Sequence, residues 1–151
     1  MRVTHGIIGF TVGFLIYYWI QISQLLPFCL MLGSFFGVAP DFDLYLSRKL
    51  HRSWLSHSFF TAVLVGITVY VGFMFFSRLQ PYALLSSIVA FLATLSHILS
   101  DMLTDSGVPL LWPIRRKRIS LTPINSVNRV LNTVAVMVCI FFIFRTLILI
   151  S

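Results

Sequence analysis

An all-helical protein that crosses a membrane several times is the fold class this sequence predicts, and three observations predict it. Hydrophobic side chains make up 58% of the 151 residues and charged ones only 10%, against about 25% charged in an ordinary soluble domain. Mean hydropathy is +0.96. The apolar residues also gather into long runs that approach the ~20 residues needed to cross a bilayer. These features exclude a soluble domain, an extended disordered chain and a fibrous repeat. A disulfide scaffold is excluded too, because Cys29 and Cys139 both fall inside apolar runs and show neither metal nor redox spacing. The chain, residues 1–151, reads as a single integral membrane domain.

About five spans are expected, over residues 6–22, 25–39, 59–76, 82–103 and 130–150. Only Ser23 and Gln24 separate the first two, so these form a tight helical hairpin. The opening residues resemble a signal peptide, but no small-x-small cleavage site follows, and the first run reads as a retained span. A polar segment, 40–58, precedes the third run, with Ser53 as a reasonable cap for a helix start. Arg78, Gln80 and Pro81 make the turn into the fourth run, which carries His97 and Asp101 near its end. Residues 104–129 are loop-like, with Pro109, Pro113 and Pro123 and the basic run Arg115, Arg116, Lys117 and Arg118.

Charge sets the expected orientation. Counted over five spans, Arg2, Arg48, Lys49, Arg52, Arg115, Arg116, Lys117, Arg118 and Arg129 fall on one side, and Arg78 and Arg145 on the other. The positive-inside rule then puts the N-terminus in the cytoplasm. The chain has no Glu, and its four acids, Asp41, Asp43, Asp101 and Asp105, lie in the same stretches as three of its four histidines, His51, His57 and His97. With His5 at the start of the first span, all of these groups meet at the cytoplasmic face.

Asp and His with no softer ligand is the donor set of a hard-to-borderline divalent metal, such as zinc or manganese. The HxxxD spacing places His97 and Asp101 on one helix face, one turn apart. Asp41 and Asp43, two apart, point to one side if the backbone between them is extended. His51 and His57, six apart, lie about 120° away from a common helix face and converge only through a loop or a helix start. A single interfacial His is more often a belt residue or a satisfied polar group than a ligand. Asp101 differs, because a carboxylate within a span is costly unless it is paired or metal-bound. Asp105 extends the stripe or is solvated at the helix end, with nothing in the sequence to decide. The run at 115–118 reads first as a topology determinant and a contact for anionic phospholipid headgroups.

The order of these pieces resembles a known family. His5, Pro-Asp-Phe-Asp at 40–43, His-Arg-Ser-Trp-Leu-Ser-His-Ser at 51–58 and His-Ile-Leu-Ser-Asp-Met-Leu-Thr-Asp-Ser-Gly at 97–107 look like the YdjM family. That family is described as inner-membrane-associated, LexA-binding, predicted metal-dependent hydrolases. The likeness runs to about Pro123. It implies a bacterial or archaeal inner-membrane protein with a hydrolase site at His5, Asp41, Asp43, His51, His57, His97 and Asp101, supported by Arg52, Ser58, Thr104 and Gly107. A more distant likeness, to zinc-dependent phospholipases C and related nucleases, is one of analogy.

The expectation is therefore a site at the cytoplasmic rim that holds one or two divalent ions, zinc before manganese, and hydrolyses a phosphoester of a lipid. Asp43, Arg52 and Asp101 are the candidate catalytic residues, with the Arg52 fork turned to a phosphate oxygen. No nucleic-acid partner is expected. Two other classes compete: a scaffold or regulatory protein folded around its metal, and a proton or cation transporter. The transporter is disfavoured because the far halves of spans one, three and five carry no titratable group to continue a path.

Overall fold

A computed structural model describes residues 2–20, 25–46, 52–76 and 80–149. They form helices α1 (Arg2–Ile20), α2 (Leu26–Val38), α3 (Asp43–Leu46), α4 (Phe59–Met74), α5 (Ala83–Met102) and α6 (Arg129–Ile148), with single 3₁₀ turns at Ala39–Phe42 and Gln80–Tyr82. Among the described residues, three helices are long and apolar enough to cross a membrane, Val3–Ile20, Gln80–Met102 and Arg129–Ile148. The second and third expected spans are shorter apolar helices, Leu26–Phe42 and Phe59–Met74. The second is cut short because Pro40 tightens the chain into the 3₁₀ turn that carries Asp41, and α3 begins at once with Asp43.

The start of α4 is capped by Ser58, whose hydroxyl accepts from the Thr61 amide at 3.1 Å, and not by Ser53 as the sequence suggests. A cap needs extended backbone just before the first helical residue. Ser58 has it, at φ −118° and ψ 158°. Ser53 instead closes a tight turn, its carbonyl accepting from the His57 amide at 2.9 Å.

The α1–α2 pair is held by backbone-to-backbone contact. A Cβ placed on Gly9 would lie 2.1 Å from the Gly33 carbonyl oxygen, one on Gly13 2.2 Å from that of Cys29, and one on Gly37 2.6 Å from that of His5. Gly9 and Gly13, like Gly33 and Gly37, are four residues apart, so each helix offers a groove one turn long into which the other backbone sinks. Without a hydrophobic driving force between helices in lipid, such close approach is a main source of association.

α5 is the hub, packed against α1, α2 and α4, while α6 rests on α1. A hydrogen bond of 2.9 Å from the Thr4 hydroxyl to the Asn132 side-chain carbonyl ties α1 to α6. The outward faces are apolar, with Trp19, Met31, Phe75 and Phe141 all exposed. Such surface is untenable in water and ordinary against acyl chains.

Residues 104–128 form a loop, as expected, yet an ordered one that folds back over the polar end of α5. Val108 and Ile119 pair in an isolated antiparallel bridge. Gly107 turns the chain into it at φ +59°, where a Cβ would lie 2.7 Å from the Ile119 oxygen. The Leu121 amide bonds the Met102 carbonyl at the α5 C-terminus, and the Phe59 amide bonds Leu110, each at 2.9 Å.

These contacts give a contrast between two glycines. Gly33→Leu must push α1 and α2 apart and is expected to cost at least about 1–3 kcal/mol. Gly72, with nothing within 4 Å of its Cβ position, is expected to accept Ala without loss. Unfolding of both variants in detergent micelles, beside wild type, measures the difference.

Candidate metal centre

The interior face of α5 carries Ala90, Ala93 and Thr94, then His97 and Asp101, all buried. The small residues let α1, α2 and α4 approach closely, and the face turns polar in its last turn. There it meets Asp41 from the 3₁₀ turn after α2 and His57 from the segment before α4. One donor atom from each of Asp41, His57, His97 and Asp101 lies within 4.8 Å of the others, and all four residues are buried. His57 Nε2 is 3.2 Å from His97 Nε2 and 3.2 Å from Asp101 Oδ2. His97 Nε2 is 3.8 Å from both Asp41 Oδ1 and Asp101 Oδ2. A tetrahedral zinc shell with bonds of about 2.0–2.1 Å has edges of about 3.3 Å, which the 3.2 Å separations match and the 3.8 Å ones approach.

The hydrogen bonds around the cluster fix which atoms face it. His97 Nδ1 lies 2.8 Å from the Gly37 carbonyl oxygen, which can only accept, so the proton is on Nδ1 and Nε2 presents a lone pair. Ser56 donates its hydroxyl proton to Asp43 Oδ2 at 2.5 Å, so the 2.8 Å contact between Ser56 Oγ and His57 Nδ1 is a bond donated by the ring. His57 Nε2 is then a lone pair as well. With both rings neutral, two imidazole lone pairs and two carboxylate oxygens face one another. Asp101 Oδ2 is buried without a hydrogen-bond partner among the described residues. Buried acceptors that face one another are strongly repulsive unless a cation sits among them.

Charge points the same way. Among the described residues, Asp41, Asp43, Asp101 and Arg52 are buried here, three carboxylates and one guanidinium. Such a carboxylate-rich pocket suits a divalent cation. Burial alone would depress the His57 pKa, but the carboxylates of Asp101 and Asp43 outweigh burial and raise it.

The other expected residues fall around this core. His5 Nε2 is 3.5 Å from Asp101 Oδ1, its ring 4.0 Å from that of His97, and its Nδ1 3.1 Å from the Ser100 hydroxyl. Asp43 is not among the four converging donors. It stands behind His57, its Oδ2 3.5 Å from His57 Nδ1, and steadies that ring through Ser56. His51 lies outside the described residues. Asp105 is exposed and accepts from Ser106.

Arg52 is used differently from the expectation. Its NH2 donates to Asp101 Oδ1 at 2.7 Å and its NH1 to Thr104 Oγ1 at 2.9 Å, so the guanidinium fork holds the protein's own carboxylate. Its φ of +54° is costly for a side-chain-bearing residue. The conformation is held because its amide donates to Asp43 Oδ2 at 3.1 Å while the side chain reaches Asp101. Thr104 completes the clamp by donating to the Asp101 carbonyl at 2.8 Å.

Removing the carboxylate strands the buried guanidinium. Asp101→Ala is expected to lose about 3–5 kcal/mol of stability, the cost of one unpaired buried charge. Asp105→Asn, at an exposed position, is expected to stay within about 0.5 kcal/mol of wild type. Denaturant titration in micelles reads both, and equal losses would contradict the placement of Asp101.

No curated protein and no solved structure matches the chain. The sequence profile described as YdjM inner membrane protein matches residues 1–150, which span every element of the site, and the chain belongs to that family.

Proposed function

We propose that this protein is a membrane-bound, metal-dependent hydrolase acting on a phosphoester of a lipid at the cytoplasmic face of the membrane. The observation that carries the reading is the convergence of four buried acceptor atoms from Asp41, His57, His97 and Asp101. Two imidazoles with two carboxylates favour zinc, with manganese second. A divalent ion in such a site supplies Lewis acidity, polarising a phosphoryl oxygen and making water acidic enough to attack near neutral pH.

The chain's own residues supply the rest. Next to the centre lies an apolar cavity of about 350 Å³, lined by Phe36, Phe42, Leu55 and Val65 with Asp43 and Ser56 in its wall. Acyl or prenyl chain suits that lining, and Asp43 is the carboxylate that reaches both the cavity and the His57 side of the centre. Asp43 takes the proton from the attacking water, and Arg52 keeps Asp101 oriented. The partition of basic residues supports a cytoplasmic site, so a cysteine label at position 117 should be protected in intact cells and reactive in inverted vesicles.

The competing reading, a metal-stabilised scaffold, draws on one feature: four protein donors are enough to close a tetrahedral shell. Turnover separates the two. The hydrolase reading expects metal-dependent release of product from phosphoester lipids, abolished by chelation. Asp43→Asn should lower kcat by about 10²–10⁴-fold. Arg52→Lys, which cannot hold Asp101 and Thr104 together, should lose about 10–100-fold while keeping its charge. A metal-loaded wild type that turns over no member of a broad panel of phospho- and carboxyl-ester lipids would leave the scaffold.

A further inference from the structure

Beside Arg52, the segment 52–54 and the loop 109–118 enclose a second cavity, of about 550 Å³, lined by Arg52, Trp54, Pro109, Trp112, Arg116 and Arg118 with Ser53. No acid lines it. We propose that this cavity binds the phosphate group of an anionic lipid headgroup.

The chemistry of the wall argues for it. Arg52 spends NH1 and NH2 on Thr104 and Asp101, yet its buried Nε has no hydrogen-bond partner among the described residues. Arg118 is anchored at the rim by donating from NH2 to the Arg52 carbonyl at 3.3 Å. Arg116 and Arg118 are exposed and supply forks that match phosphate oxygens, and no carboxylate in the lining competes for them. The opposite wall is a pair of stacked indoles, Trp54 and Trp112, 3.9 Å apart at 21°, with Phe60 packed 5.9 Å from Trp112. Indoles settle at headgroup depth, apolar on the face and wet at the edge.

The same loop indicates that the phosphate arrives on a lipid. Ile114 and Leu111 are 93% and 43% exposed beside the arginines. An exposed apolar stretch followed at once by a basic run on one loop suits the boundary between headgroups and acyl chains. As the subsite for the substrate's headgroup this cavity rests on the hydrolase reading, but its binding is measured without turnover.

The test uses the full chain in nanodiscs on a Trp19→Phe background, which leaves Trp54 and Trp112 as the reporting indoles. The probe is a phosphonate analogue of phosphatidic acid, which cannot be hydrolysed, titrated into phosphatidylcholine discs. Indole fluorescence should change saturably. Arg116→Gln/Arg118→Gln should weaken binding about 10-fold more than Arg115→Gln/Lys117→Gln, which removes the same charge from outside the cavity. Equal weakening by the two pairs, or no saturable change, overturns the proposal. Inorganic phosphate saturating the same signal in discs lacking the analogue, at comparable concentration, would overturn the assignment to a lipid.

Discussion

The organisation of the polar end depends on one buried carboxylate. Asp101 Oδ1 is held by Arg52 at 2.7 Å, and Oδ2 faces His57 at 3.2 Å and His97 at 3.8 Å. In a medium of low dielectric such a group is tolerated only when charge and lone pairs are compensated on every side. The compensation reaches far along the chain. Arg52 adopts a left-handed backbone to reach Asp101, Thr104 is turned inward to complete the clamp, and the 104–128 loop folds back over the C-terminus of α5. The ordered loop and the strained residue read as consequences of burying that carboxylate.

The glycine contact between α1 and α2 serves the same end. His97 is oriented by the Gly37 carbonyl, and Gly37 is pressed against the backbone at His5. Close packing of two helices thus sets both a ring orientation on α5 and the placement of a second histidine. Precision in the donor cluster comes from helix packing, which also seats the 3₁₀ turn that carries Asp41 and the short segment that carries His57.

Much of this was legible in the sequence. Three of the five expected spans follow from their apolar runs, and the pairing of His97 with Asp101 from one helical turn of spacing. The meeting of Asp41, His57 and the α5 pair at one end of the bundle follows from alternating topology. What was hidden depends on tertiary contact. Nothing in the spacing of Asp41 and Asp43 shows that one joins the donor cluster while the other stands behind His57, because the 3₁₀ turn, not an extended strand, separates them. Ser56 and Ser100 gave no signal, since a serine acts here only through the tautomer it imposes. The Gly9–Gly13 and Gly33–Gly37 spacing was a readable signal for the hairpin interface. Arg52 lies beside the cluster, and its partner is the internal Asp101, which the sequence places 49 residues away.

The central claim is that four acceptors from Asp41, His57, His97 and Asp101 converge because a divalent cation belongs among them. X-ray absorption on the purified wild-type protein, with metal quantified per chain, tests it most directly. The account predicts about one divalent ion per chain, with two imidazole nitrogens and carboxylate oxygens at about 2.0–2.2 Å, and most of that metal lost in His97→Ala. A wild type that retains no metal after purification and reconstitution, or one whose metal content and spectrum are unchanged by His97→Ala, would contradict it.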